Sequence, residues 1–210
     1  MDLKVRDRTE KELFVRKKEF LKICDILDNL KITYFLQTGI LLGAIRDNDL
    51  IKWDWDIEIS VFSKDFFPLL DSVANDLEIN GFKILKKNKI RDDSKIDFIG
   101  EYAKEVTGYT IFSWNYSEIN KCYWRRGLSV PSKFLNNLST IRFFERDFKC
   151  PNNPEEYLEF AYGNWKIPIR TSDKELYMTS NFRNKIKYLI INFKTDFLRI
   201  IYRLWKLIKK

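Results

Sequence analysis

The chain has 210 residues, 45% hydrophobic and 16% aromatic, which is enough apolar material for one well-packed domain and unlike a disordered segment. It contains no histidine. That removes Ser-His-Asp triads, Cys-His nucleophiles, His-ligated zinc and imidazole acid–base catalysis, so any chemistry must run on carboxylates, Lys/Arg, hydroxyls or a metal. The net charge of +8 falls entirely within residues 181–210, where nine Lys/Arg accompany one acid, Asp196. The basicity therefore belongs to the C-terminal segment and gives no reason to expect a nucleic-acid partner for the rest.

Apolar residues from Leu13 to Leu30 recur at helical spacing and predict a helix over about 9–30. Thr33 to Leu36 reads as a strand ending at a Thr38-Gly39 turn, and Ile40 to Arg46 as a short helix. Asp47-Asn48-Asp49 is a loop signal, followed by a strand from Trp53 to Phe62. Phe66 to Ile79 is helical, with Asn80-Gly81 as its stop. Strands are expected at Phe82–Leu85 and Ile96–Ile99, then a hairpin near Tyr109–Trp114 and Cys122–Val130. Thr140 to Lys149 holds one or two strands, and Pro154 opens a short helix through Tyr162. The order predicts an α+β domain with a small mixed sheet. The three cysteines, Cys24, Cys122 and Cys150, form no CxxC pair and read as free thiols in a reducing cytoplasm. The charged N-terminus resembles no secretory signal, and no apolar run of spanning length occurs.

The chemistry concentrates in QTGILLGAIRDNDLIKWDWDIEI, residues 37–59. Asp54 and Asp56 are spaced i, i+2, so on a strand their carboxylates share a face while Trp55 and Ile57 point into the core. Two adjacent carboxylates repel each other unless a cation neutralises them, and their hard oxygens suit Mg²⁺ or Mn²⁺. A Thr-Gly turn feeding a helix presents backbone N–H groups able to hold a phosphate. Gly39 and Gly43 allow close backbone approach at the turn and between helix and strand. Arg46, beside the turn, is either a phosphate clamp or a surface salt bridge. Arg125 and Arg126 are a weaker pair for the same task. Glu58 continues the face of the two aspartates, whereas Asp92 and Asp93 sit in a polar loop and read as solvated.

The segment from Thr38 to Ile59 resembles the signature of the LicD family, which also includes the fukutin-related proteins: Gly-Thr-Leu-Leu-Gly-Ala-hydrophobic-Arg, a short loop, then Ile-Pro-Trp-Asp-Asp-Asp-hydrophobic-Asp. PNNPEEYLEFAYGNWKIP, residues 151–168, is similar to the family's C-terminal Pro, Tyr-Leu, Tyr-Gly-x-Trp, Pro pattern. The family's Gly-Thr is reversed here as Thr38-Gly39, its Pro before Trp is Lys52, and its last acid is Glu58. The resemblance implies a nucleotidyltransferase fold that moves a phosphorylated alcohol, such as phosphocholine, ribitol phosphate or glycerol phosphate, from a CDP-linked donor to a glycan hydroxyl. It implies a third carboxylate from a neighbouring strand, for which Asp97 is the best placed, as metal ligand or as base. Thr38, Gly39, Gly43 and Arg46 become the donor-binding set; Tyr162-Gly163-Asn164-Trp165 reads first as a packing corner, with Trp165 lining the acceptor pocket as the competing reading. Transfer of NMP to a sugar, small molecule or protein, and an inactive membrane-associated binding protein, are the alternatives.

The division expected is a catalytic domain over 1–172 and a tail over 173–210. Ile186, Leu189, Ile190, Phe193, Phe197, Ile200, Ile201, Leu204 and Ile208 follow helical spacing with basic residues between them. This pattern predicts an amphipathic helix lying on an anionic membrane surface, and thus a cytoplasmic enzyme peripheral to the inner face of the membrane. Packing of that helix against the domain is the competing reading.

Overall fold

The computed structural model describes residues 5–101, 108–125 and 127–183. Helix α1 (Glu10–Asn29) opens with a capping box, the Thr9 hydroxyl accepting from the Glu12 N–H and the Glu12 carboxylate accepting from the Thr9 N–H. Its buried stripe runs through Arg16, Phe20, Ile23, Cys24 and Leu27. Strand β1 (Tyr34–Leu36) is wholly buried. The short helix α2 (Thr38–Leu42) follows and widens into one π-helical turn over Gly43–Asp47. Then come β2 (Asp56–Phe62), α3 (Ser63–Ile79), β3 (Lys83–Asn88), β4 (Lys95–Ile99) and β5 (Gly108–Ser117). The remainder comprises β6 (Cys122–Arg125), β7 (Leu128–Pro131), α4 (Ser132–Leu135), β8 (Ser139–Phe143), β9 (Arg146–Cys150), α5 (Pro154–Tyr162) and α6 (Lys174–Tyr177).

The main sheet has the order β1-β2-β5-β4-β3, and the far half of β5 carries β6 and β7. β2 and β5 run parallel while the other pairs are antiparallel. The expected α+β architecture with a small mixed sheet is what the chain adopts. Paired residues share a face, so register defines two sides. On one, Ile57, Tyr109 and Phe98 align across three strands, and Tyr109 donates to Glu19 of α1 at 2.5 Å. On the other, Glu58, Thr110 and Asp97 align.

Several elements differ from the sequence reading. β2 begins at Asp56, so Asp54 and Trp55 precede the ladder, and Trp55 is half-buried instead of entering the core. The stretch 122–130 divides into two strands at Gly127, whose φ of +78° suits a residue without Cβ. Packing also continues past residue 172. Phe182 is fully buried against Tyr157 and Phe160, and its carbonyl accepts from the Ser129 N–H. The amphipathic pattern expected over residues 186–208, and Arg126, lie outside the described residues. No helix among the described residues is long and apolar enough to cross a membrane.

Candidate active site

The two aspartates are positioned by backbone more than by strand pairing. Gly43 lies so close to the returning chain that a Cβ there would stand 2.5 Å from the Asp49 carbonyl oxygen. The Asp54 N–H donates to the Ile51 carbonyl at 3.1 Å, and Asp54 Oδ1 accepts from the Trp55 N–H at 3.0 Å. From behind, Arg16 of α1 donates one amino group to the Asp54 carbonyl at 2.7 Å and the other to the Asp56 carbonyl at 3.0 Å. This guanidinium is 1% exposed and ties the main chain on both sides of Trp55, turning the two carboxyls outward. Across from them, a Cβ on Gly39 would meet Asp54 Oδ2 at 2.6 Å. Only glycine leaves that oxygen its place.

Thr38 is held at φ +53°, a left-handed conformation that a β-branched residue rarely adopts. Its buried hydroxyl donates to Glu58 Oε2 at 3.2 Å, so the turn and the third acid of the stripe are joined. Below them Gln37 accepts from Ser60 Oγ at 2.7 Å. Arg125 stacks its guanidinium 3.4 Å from the Phe112 ring centroid, and one of its amino groups is buried without a hydrogen-bond partner. Burial lowers the Arg125 pKa, while Glu58, Asp93 and Asp97 act to raise it.

Both aspartates titrate above the ordinary carboxylate range. Burial is the largest cause at Asp54, with Glu58 adding repulsion and Arg16 opposing. At Asp56 burial is joined by Asp54 and Glu58, and the largest opposing influence is Lys174. The pair is therefore short of positive charge.

Asp54, Asp56 and Glu58 form one wall of a cavity with Thr38, Gly39, Arg46, Trp53 and Trp55. The other wall comes from the end of α5 and the chain after it, with Tyr162, Asn164, Trp165, Ile167, Lys174 and Tyr177. The Tyr162 and Tyr177 rings stack at 6.1 Å. Arg46 lines the cavity but spends its guanidinium on both oxygens of Asp47, at 2.8 Å each, and lies 5.8 Å from the Trp53 ring centroid.

The structure thus brings Thr38, Gly39, Arg46, Asp54, Asp56 and Glu58 together, with Gly43 packed behind them. It does not bring in Asp97. The strand beside β2 is β5, which places Gly108 opposite Asp56 and Thr110 opposite Glu58. Asp97 lies one strand further out, accepting from Thr110 at 2.9 Å and paired with Lys95 at 2.7 Å. Arg16 was missed by sequence reasoning although a charged residue in register with Phe20, Ile23 and Leu27 is a visible signal. Lys174 and Tyr177, in a polar stretch, carry no such signal.

The donor set fits a divalent cation. Two oxygen-bearing side chains face one cavity, their charge is disfavoured by burial and mutual repulsion, and Arg16 engages their backbone instead of their carboxylates. Among the described residues no three acids or cysteines converge as a ready-made metal cluster, so Asp54 and Asp56 would leave coordination positions for ligand oxygens.

A family profile described as LicD/FKTN/FKRP, nucleotidyltransferase domain, matches residues 31–153. Human ribitol 5-phosphate transferase FKRP is 24% identical over 161 residues, covering 67% of this chain and 30% of FKRP. Ribitol-5-phosphate transferase FKTN of Macaca fascicularis is 27% identical over 179 residues, covering 80% of this chain and 37% of FKTN. The chain spans about a third of the length of these relatives. Among solved structures, lincomycin-bound lincosamide antibiotic adenylyltransferase LnuA aligns with TM-score 0.47 and 19% identity, over 74% of this chain and 87% of its own. The solution structure of the antibiotic-resistance factor ANT(2'')-Ia aligns with TM-score 0.49 and 13% identity, over 91% and 97%.

Proposed function

The chain belongs to the LicD/FKTN/FKRP nucleotidyltransferase-domain family, and from that premise we propose that it transfers a phosphorylated alcohol from a CDP-linked donor to a glycan hydroxyl with the help of a divalent metal. The observation that carries the reading is the half-buried Asp54–Asp56 pair lining a cavity whose other wall is aromatic and carries a lysine. In the reaction, the acceptor oxygen forms a bond to the phosphorus of the alcohol phosphate, the bond to CMP breaks, and CMP leaves with that electron pair. Asp54 and Asp56 would hold Mg²⁺ or Mn²⁺, which when bound supplies charge neutralisation on the diphosphate. Glu58, on the same wall and oriented by Thr38, takes the proton released by the hydroxyl. Trp165, Tyr162 and Tyr177 offer flat apolar surfaces for the acceptor and exclude water from the reacting atoms. Residues 181–210 would hold the enzyme at an anionic membrane on the cytoplasmic side.

The test is incubation with CDP-ribitol, CDP-glycerol or CDP-choline, Mg²⁺ and a glycan acceptor. Metal-dependent CMP release and a product heavier by the alcohol phosphate are expected. A product carrying the nucleotide instead would mark an NMP transferase, and absence of Mg²⁺-dependent nucleotide binding would mark an inactive binding protein.

A further inference from the structure

We propose that Lys174 is the residue that reads the donor's diphosphate, neutralising from the far wall the phosphoryl charge that the acids' metal leaves over. The inference rests on the transfer reaction above and names a residue for it.

Two cations line the cavity, Arg46 and Lys174. Arg46 is committed, bidentate to Asp47 and resting on Trp53. Among the described residues the Lys174 ammonium has neither an ion pair nor a side-chain hydrogen bond. It lines the same cavity as Asp54, Asp56 and Glu58. It therefore shares the cavity with the three acids and is paired with none of them, which leaves its charge for an anion bound there.

The backbone that carries it is fixed. Asp173 accepts from the Glu175 N–H at 2.8 Å, Arg183 pairs with Glu175 at 3.0 Å, Tyr177 stacks on Tyr162, and Met178 is buried. Charge balance requires such a group. Three carboxylates on one wall and two phosphoryl charges of a nucleoside diphosphate ester exceed what one divalent cation offsets, and the surplus is costly in a half-buried site. Lysine suits the role as a point charge that can follow either phosphate.

The experiment titrates the full-length protein, in Mg²⁺, with inorganic pyrophosphate, CDP and cytidine, comparing Lys174→Met and Lys174→Arg with the parent. Lys174→Met is expected to weaken pyrophosphate and CDP about tenfold or more, the equivalent of one good charge contact, and to leave cytidine unchanged. Lys174→Arg is expected to restore most of the loss. In turnover, the KM for the donor rises while that for the acceptor does not. Undiminished pyrophosphate binding by Lys174→Met, equal loss of cytidine, or a parent protein that binds neither pyrophosphate nor CDP would overturn the proposal. A parent that binds pyrophosphate through Lys174 but releases no CMP from any CDP-alcohol would support the residue's role while removing the transfer reaction.

Discussion

At the scale of single residues, the site is an arrangement of charges kept apart by small distances. Replacing Asp54 or Asp56 with Asn should lower turnover by at least about 100-fold while the far-UV spectrum and thermal midpoint stay near those of the parent, because a ligand and a transition-state charge are lost together. Gly39→Ala tests the geometry with no change of charge. The added methyl would stand 2.6 Å from Asp54 Oδ2 and displace it, so Mn²⁺ binding followed by paramagnetic relaxation should weaken although both acids remain. Asp97→Asn is expected to be mild, since that carboxylate is engaged with Lys95 and Thr110 one strand away. A loss comparable to Asp54→Asn would return Asp97 to the reaction. The acid pair was legible because its spacing is local. The position of Asp97 relative to the pair was not legible, because strand adjacency is not local: nothing in the residues around it says that β5 inserts between β2 and β4.

At the scale of elements, helix caps and tight turns set the site's frame. Gly43→Ala should destabilise the fold by about 1–3 kcal/mol, the usual cost of forcing an extra methyl into a packed position, because its Cβ would press on the Asp49 carbonyl. Differential scanning calorimetry reads this as a lower midpoint. The capping box adds a pH signature. Glu12 titrates down at about 2, chiefly through its bond with Arg6. A folded pKa below the unfolded one gives stability that is full above the ordinary glutamate range and fades as pH falls towards 2. Glu12→Gln should flatten the wild-type decline in urea midpoint between pH 5 and pH 2.5, with a modest amplitude because the carboxylate is partly exposed to solvent. Helix α1 was readable from apolar periodicity, α3 with its Asn80-Gly81 stop and α5 from the proline that opens it. The widened turn after Leu42 was not, because what creates it is contact between Gly43 and a segment still to come.

For the molecule as a whole, the interior encloses its three thiols and shields them from solvent. Cys24, Cys122 and Cys150 are all buried, and burial pushes Cys150 up to about 11 and Cys24 further. At pH 8 a chromogenic disulfide reagent should find no thiol on the minutes scale in the native protein and three in denaturant. The charged C-terminal segment is to be tested by removing residues 184–210, a cut that spares the buried Phe182. Loss of binding to anionic vesicles with CMP release from a soluble acceptor analogue retained would support the membrane reading. Loss of both would assign the segment to the fold.

The clamp made by Arg16 has a consequence for how such a domain can be divided. The segment matched by the family begins at residue 31, after α1, and stops at 153, before α5. Yet the guanidinium that aims both acids comes from upstream of it, and the wall bearing Trp165, Lys174 and Tyr177 comes from downstream. The recognisable stretch is thus a floor without its back support or its facing side. A fragment trimmed to those limits would keep both aspartates and lose the groups that aim and face them, so carrying the site into another scaffold would require α1 and the chain through Tyr177 as well.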